Sequence, residues 1–333
     1  MSAHKMKAVW ISRFGGPDGL EIRDVDRPEP ATDQVLVRVR ASALNRADLL
    51  QRQGKYPPPS GYPVEIPGME FAGEVAEVGA SVRLWKPAQR VFGLIAAAAH
   101  AEYLVTHERL LAEVPPNLDW AQAGSIPETF ITAHDGLWTQ AALRPGETVL
   151  INAVGSGVGL AAVQLARAMQ ATPFGTSRTA DKIEQAQQYG LQAGIALRDG
   201  FDELIARAEQ WTGGKGINVF LDLVGGPYVK ACQKLMAHKG RMILIGTVAG
   251  GSYELEGRYV MSKRLNIRGT VLRARPLEEK IEATLAFARE VVPLLAKGTV
   301  RPVIDSVFKV NDISKAHARL ESNETIGKVV VEF

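Results

Sequence analysis

Short apolar stretches broken by turn residues fill the first third of the chain. "MKAVWIS" (6–12), "LEIRDV" (20–25) and "QVLVRVRASAL" (34–44) alternate or bury their apolar positions, and Gly15-Gly16-Pro17 and Pro28-Glu29-Pro30 interrupt them. That texture predicts a β-rich domain. From about residue 147 the pattern changes to apolar strands alternating with amphipathic helices: "ETVLINA" (147–153), a helix through Arg167, "TPFGT" (172–176), a helix from Asp181, "INVFLDLV" (217–224) and "RMILIG" (241–246). Such alternation is the mark of βαβ units and a parallel sheet. Pro173 is compatible with its strand if it stands at the first residue, where a missing N–H costs little. After "LNIRGTVL" (265–272), a single long helix over roughly 276–297 is expected, followed by "RPVIDSVFKV" (301–310) and "GKVVVEF" (327–333). The tail returns to short strands, so it is expected to rejoin the first domain. The fold class is therefore α/β, a parallel sheet from about residue 147 beside a discontinuous β-rich domain.

Composition narrows the function classes. With 333 residues, 46% hydrophobic and 23% charged, the chain is long enough for two cores and too apolar for disorder. Its formal charge of +3 comes from 39 basic and 36 acidic residues without a like-charge block, so neither nucleic acid nor a lipid surface is expected as a partner. The start, "MSAHKMKAVWISRFGG", reaches Arg13 after too few apolar residues for a signal-peptide core, and no run approaches the ~18 apolar residues of a membrane span. A cytoplasmic location is expected. A single cysteine, Cys232, excludes an internal disulfide and any multi-thiolate metal site.

"INAVGSGVGLAAVQLARA" (151–168) runs from a strand into Gly155, Gly157 and Gly159 and then into a helix. A glycine-rich turn after the first strand of a βαβ unit lets backbone approach a pyrophosphate, and the helix N-terminus offers unpaired N–H groups there. The backbone of Gly155, Ser156, Gly157, Val158 and Gly159 is the candidate cradle. Only Gly159 is in register with the usual G-x-G-x-x-G spacing, where Val154 and Ser156 take the other positions, so the turn alone also admits a tight ligand-free connection. Roughly 20 residues on, where an NAD site places a carboxylate on the ribose, the sequence is "GTSRTADK" (175–182). Ser177, Arg178 and Lys182 would bind a 2′-phosphate that a carboxylate repels, which points to NADPH. The competing reading, solvated charges at a helix start, is weakened because the helix dipole disfavours cations at that end.

With those residues in view, the chain resembles the zinc-independent quinone oxidoreductase branch of the medium-chain dehydrogenase/reductases, the group containing ζ-crystallin, and within it the tumour-suppressor-inducible quinone oxidoreductases. The likeness spans the whole length. It is carried by "RASALNRADLLQRQGKYPPP" (40–59), "IPGMEFAGEVAEVG" (66–79), "AGSIPETFITAHDGL" (123–137), "AVGSGVG" (153–159), "DLVGG" (222–226) and "IGKVVVEF" (326–333). It implies a discontinuous GroES-like domain over 1–127 and 272–333, a doubly wound Rossmann domain over 128–271, and an edge-paired homodimer through the strands around "RMILIG" and "NIRGTVL". It also implies metal-free hydride transfer from NADPH to a small quinone or enone. Zinc-dependent relatives have a cysteine where Asn45 stands and a histidine within the segment occupied by Gly68-Met69-Glu70; the six histidines here, His4, His100, His107, His134, His238 and His317, lack ligand spacing. Without a Lewis acid, acceptors that delocalise charge themselves are the plausible substrates.

The same resemblance supplies candidate roles. Tyr56 matches a tyrosine beside the nicotinamide, able to donate to the acceptor oxygen or to cap the cofactor; packing on its neighbouring prolines is the plainer alternative. Asn45 is placed to orient substrate or water, with Asp48 structural. Thr132 matches a threonine against the nicotinamide, or else bonds its own helix backbone. Gly225 and Ile245-Gly246-Thr247 follow two strands at their carboxyl ends, and Leu272, Arg273 and Lys328 are implied as cofactor contacts. Departures from the pattern lie at Ala88 in a usual Gly-Asp-Arg-Val turn, at Ala96–Ala99 in place of glycines, and at Leu197 in place of a phosphate-binding tyrosine, with Arg198 beside it. Alternative functions are an enone or alkenal reductase, and a non-catalytic NADPH-binding protein of the crystallin or RNA-binding kind.

Overall fold

The computed structural model describes residues 4–197 and 200–333; Arg198, and residues 1–3 of the opening segment, lie outside the described residues. The strands, in chain order, begin with β1 (Lys5–Ile11), β2 (Leu20–Asp26), β3 (Gln34–Ala43), β4 (Glu70–Val78), β5 (Arg90–Leu94), β6 (Tyr103–His107) and β7 (Leu111–Glu113). Next come β8 (Thr148–Ile151), β9 (Thr172–Ser177), β10 (Ala193–Ala196), β11 (Ile217–Asp222), β12 (Met236–Leu244) and β13 (Asn266–Gly269), and finally β14 (Ile304–Lys309) and β15 (Lys328–Glu332).

Two compact units divide them, Met1–Ile131 with Leu272–Phe333, and Thr132–Val271. The first division falls inside the helix Pro127–His134, four residues beyond the boundary expected at 127.

In the first unit β1 and β2 form an antiparallel hairpin, and the larger sheet runs β14-β15-β3-β4-β5-β7, with β6 also on β3. The alternation in β3 has a physical outcome: Val35, Val37 and Val39 point into a core with Phe71, Val75, Val91 and Leu104, while Arg38 is exposed. The tail does return, since β15 pairs antiparallel with β3 through Val330↔Ala43 and Val331↔Ser42. The long helix expected over 276–297 is instead two, Leu277–Glu290 and Val292–Ala296. Pro293 explains the break: it has no N–H to donate, and its ring clashes with the carbonyl four residues earlier.

The second unit, among its described residues, holds a sheet of order β10-β9-β8-β11-β12-β13, every neighbouring pair parallel. Numbered within the unit this is 3-2-1-4-5-6, the order that leaves a crevice at the carboxyl ends of the first and fourth strands, here β8 and β11. Leu150, Phe174, Phe220, Val229 and Met242 pack its core. Pro173 stands second rather than first in β9, still at the strand's entry, opposite Val149. No helix among the described residues is long and apolar enough to cross a membrane.

Phe220, fully buried at the centre of this sheet, tests the packing. Phe220→Ala should cost about 3–5 kcal/mol, seen as a lower denaturant midpoint for the second unit's unfolding.

Candidate functional site

In the second unit, the turn after β8 is a tight backbone fold with little room for side chains. Ala153 takes φ +49°, Val154 N donates to Thr176 O at 2.9 Å, and Ser156 caps the helix Gly157–Ala168 by accepting from Gly159 N at 3.1 Å. A Cβ on Gly159 would stand 2.7 Å from Ala153 O, and one on Gly155 3.0 Å from the Lys182 side chain. Gly159 is required because a Cβ would run into backbone, whereas one at Gly155 would press on the Lys182 side chain. Ser156 is exposed and Gly157 and Val158 partly so, leaving the helix start open to a ligand.

The aliphatic stem of Lys182 therefore lies across the glycine turn. Ser177 is buried at the end of β9 and Arg178 is exposed beside it. Asp181, the carboxylate in this segment, accepts from the Thr179 hydroxyl and from the amides of residues 181 and 182, which lowers its pKa. It serves the helix N-terminus, as an acid there should. These residues fit a dinucleotide carrying a 2′-phosphate.

A second loop, after β11, is held by a pair that the motif search missed. Asn152 Nδ2 donates to Asp222 Oδ1 at 2.5 Å, and Asn152 Oδ1 accepts from Leu223 N at 2.6 Å. Asp222 Oδ1 also accepts from Val224 N and Gly225 N at 2.9 and 2.8 Å. One buried carboxylate thus ties the ends of β8 and β11 together. Gly225, at φ +77°, would set a Cβ 2.8 Å from Gly246 O, so its loop lies directly on Ile245-Gly246-Thr247. Thr132, 8% exposed, lies in the helix Pro127–His134.

In the first unit, Asn45 caps the helix Arg46–Arg52 by position, and its backbone N–H donates to Asp48 Oδ2 at 2.7 Å. Its side chain turns elsewhere. Asn45 Nδ2 donates to Glu70 Oε1 at 2.9 Å, and Asn45 Oδ1 accepts from Lys328 Nζ at 2.6 Å. Lys328, 5% exposed, also donates to Leu44 O at 2.6 Å and pairs with Glu70 Oε1 at 2.7 Å. These contacts use all three ammonium hydrogens. Lys328, implied by the resemblance as a cofactor contact, is thus committed within its own unit.

Glu70 Oε2 accepts from Glu128 N at 2.9 Å, at the start of the helix Pro127–His134. Asp48 Oδ1 accepts from Gly68 N at 2.9 Å, and Ser42 Oγ donates to Glu70 O at 2.7 Å while lying 2.8 Å from His100 Nδ1. Glu128 is a site residue that sequence reading missed. Burial first, and the charge of Glu70 second, push its carboxyl up to about 7. Its signal was in "PETFITA", where an acid opens a helix four residues before Thr132.

The zinc ligands of related enzymes find no substitute here. Asn45 and Glu70 are tied to a buried ammonium, Met69 is a buried apolar side chain, and no group of three or more His, Cys, Asp or Glu among the described residues converges on a metal position. The residues do not fit a tetrahedral zinc centre.

Tyr56 is half-buried on the loop after the first helix, its ring 4.8 Å from the Arg273 guanidinium carbon. Arg273 and Leu272 are both buried where the chain re-enters this unit. Arg273, also implied as a cofactor contact, directs Nε and Nη1 to Ala96 O and Tyr56 O at 2.7 and 3.1 Å, and Nη2 to Gln51 Oε1.

The raised Glu128 carboxyl has a sign that can be checked. A group whose pKa is higher folded than unfolded adds stability at pH below its unfolded value near 4.5, and that contribution disappears as pH rises through about 7. Glu128→Gln should therefore match the wild type in Tm near pH 4.5 and exceed it at pH 8, measured as a difference between paired melts.

Comparison with known proteins places these features in a family. Residues 31–149 match the "Alcohol dehydrogenase GroES-like domain" and residues 157–290 the "Zinc-binding dehydrogenase" model. The chain is 32% identical to a quinone oxidoreductase of Lama guanicoe, over 98% of this chain and 97% of that one. It is 31% identical to an acryloyl-coenzyme A reductase of Metallosphaera sedula, over 98% and 99%. The solved structure of the Escherichia coli quinone oxidoreductase complexed with NADPH superposes with TM-score 0.85 at 26% identity, covering 99% of each chain. On its full-length likeness, its paired GroES-like and Rossmann architecture and its glycine turn, the chain belongs to the quinone oxidoreductases of the medium-chain dehydrogenase/reductase superfamily.

Proposed function

We propose that this protein is an NADPH-dependent quinone oxidoreductase that works without zinc, in the cytoplasm, as a homodimer. The observation that carries the reading is the end of β9, where Ser177, Arg178 and Lys182 stand and Asp181 is committed to its own helix. That chemistry favours a 2′-phosphate over a free ribose hydroxyl. The relatives named quinone oxidoreductase supply the acceptor class.

Bound NADPH supplies a hydride, and the chain supplies position and polarity. The amides of Gly155, Ser156, Gly157, Val158 and Gly159 hold the pyrophosphate at the helix start, where the dipole favours an anion. Gly225, Ile245, Gly246, Thr247 and Thr132, all of the second unit, would hold the rest of the cofactor. Tyr56 donates a hydrogen bond to the acceptor oxygen as negative charge grows on it. Asn45 orients the acceptor or a water, its amide held by Glu70 and Lys328. Quinones and enones spread the added charge through conjugation, so hydrogen bonds suffice where a simple ketone would need a metal.

Enone or acyl-thioester reduction is the second reading, favoured by the likeness to the acryloyl-coenzyme A reductase. Dimer formation is supported by β13, which pairs with β12 and leaves its other edge open among the described residues, and by exposed Met261 and Val248 in the same unit.

Purified, chelator-treated protein should oxidise NADPH faster than NADH, and only with an acceptor present. Ortho- and para-quinones turning over better than α,β-unsaturated ketones and thioesters supports the quinone reading; the reverse order supports the second, and no turnover defeats both. Arg178→Ala and Lys182→Ala should each raise KM for NADPH about tenfold, the loss of one charge-assisted contact, with KM for NADH little changed. Light scattering should return twice the 36.0 kDa chain mass.

A further inference from the structure

Arg273 is 3% exposed, and its guanidinium gathers three separate segments of the first unit. Its Nε holds Ala96 O, its Nη1 holds Tyr56 O, and its Nη2 holds Gln51 Oε1. Gln51 is itself 1% exposed and passes the restraint on, donating from Nε2 to Val64 O at 2.9 Å. The Ala96 segment is pinned in turn, with Ala98 N donating to Ile66 O and Ala99 N to Gly68 O, both at 3.0 Å. Residues 53–66, which include Tyr56, contain neither helix nor strand. Tyr56's own N–H reaches Leu50 O only at 3.3 Å. Arg273 therefore restrains this residue twice, once through its carbonyl and once through the ring face, where a guanidinium 4.8 Å from the centroid is attracted to the π system.

A planar fork with fixed N–H directions suits such a task. Its burial would be costly without acceptors for its hydrogens, and the acceptors it has found are those that shape the loop. We propose that Arg273 is a positioning residue for Tyr56, setting the direction of the phenol and the shape of the acceptor-binding loop rather than contacting the cofactor. This rests on reading Tyr56 as the group that meets the acceptor.

The test is a double-mutant cycle of Arg273→Met with Tyr56→Phe, accompanied by Arg273→Lys, which keeps a cation near the ring but loses the fork. Three readouts are needed: kcat and KM with a para-quinone, the Kd for NADPH from its fluorescence, and amide hydrogen exchange over residues 53–62. Arg273→Met should lower kcat about tenfold or more, leave the NADPH Kd within about twofold, and speed exchange over 53–62, with Arg273→Lys intermediate. On the Tyr56→Phe background the same change should cost about twofold or less. A full cost of Arg273→Met without the phenol, a tenfold weaker NADPH Kd, or unchanged exchange would each overturn the proposal. If the wild type reduces no quinone, the functional reading fails; accelerated exchange with unchanged NADPH binding would still show Arg273 holding the loop, and normal exchange would defeat the positioning role independently.

Discussion

A buried ammonium has to be answered by oxygen atoms wherever the chain places it, and in the first unit that demand organises much of the polar interior. Lys328 enters on the last strand with 5% of its surface exposed, and Leu44 O, Asn45 Oδ1 and Glu70 Oε1 meet its charge. Each acceptor brings its own segment: the end of β3, the start of the following helix, and the start of β4. Glu70 extends the cluster by accepting the first-turn amide of Glu128. Removing one member of such a buried pair typically costs about 3–5 kcal/mol, because the other charge is left without compensation. The cluster therefore constrains which residues this part of the fold can tolerate, and it leaves Asn45 with an amide whose orientation is set.

The second unit solves its ordering problem with a neutral amide and a carboxylate. Asn152 and Asp222 leave two strand ends and bond each other at the switch point of the parallel sheet. The carboxylate then gathers the amides of the loop ahead. Backbone that would otherwise be free to move is held in place, while the cradle after β8 keeps its shape through Gly159, where a Cβ would run into backbone. Preorganisation of this kind lowers the cost of ordering loops when a ligand binds.

Sequence pattern was a good guide to features that depend on period and local turn chemistry. The parallel unit, the return of the tail and the helix after the glycine turn were legible, because each is written in neighbouring positions. The expected helix over 276–297 failed at Pro293, whose effect on the carbonyl four residues back was underweighted against a sustained apolar period. Glu128 and Asp222 were missed as site residues for another reason. Their importance lies in partners 58 and 70 residues away in sequence, which no local pattern encodes. Lys328 and Arg273 stood out by resemblance, but their bonding within one unit becomes visible only once distant strands are placed side by side.

These arrangements bear on how a reductase of this superfamily would function without zinc, as proposed. A zinc ion polarises a carbonyl through charge and is tolerant of the exact direction of approach. Hydrogen-bond donors are weaker and strongly directional, so their contribution depends on being aimed before the reaction begins. Asn45, held between a carboxylate and an ammonium, and Tyr56, beneath a guanidinium, meet that requirement in the proposed reaction. In the proposed zinc-free reaction, the demand shifts from a few coordinating atoms to the many contacts that hold polar side chains still.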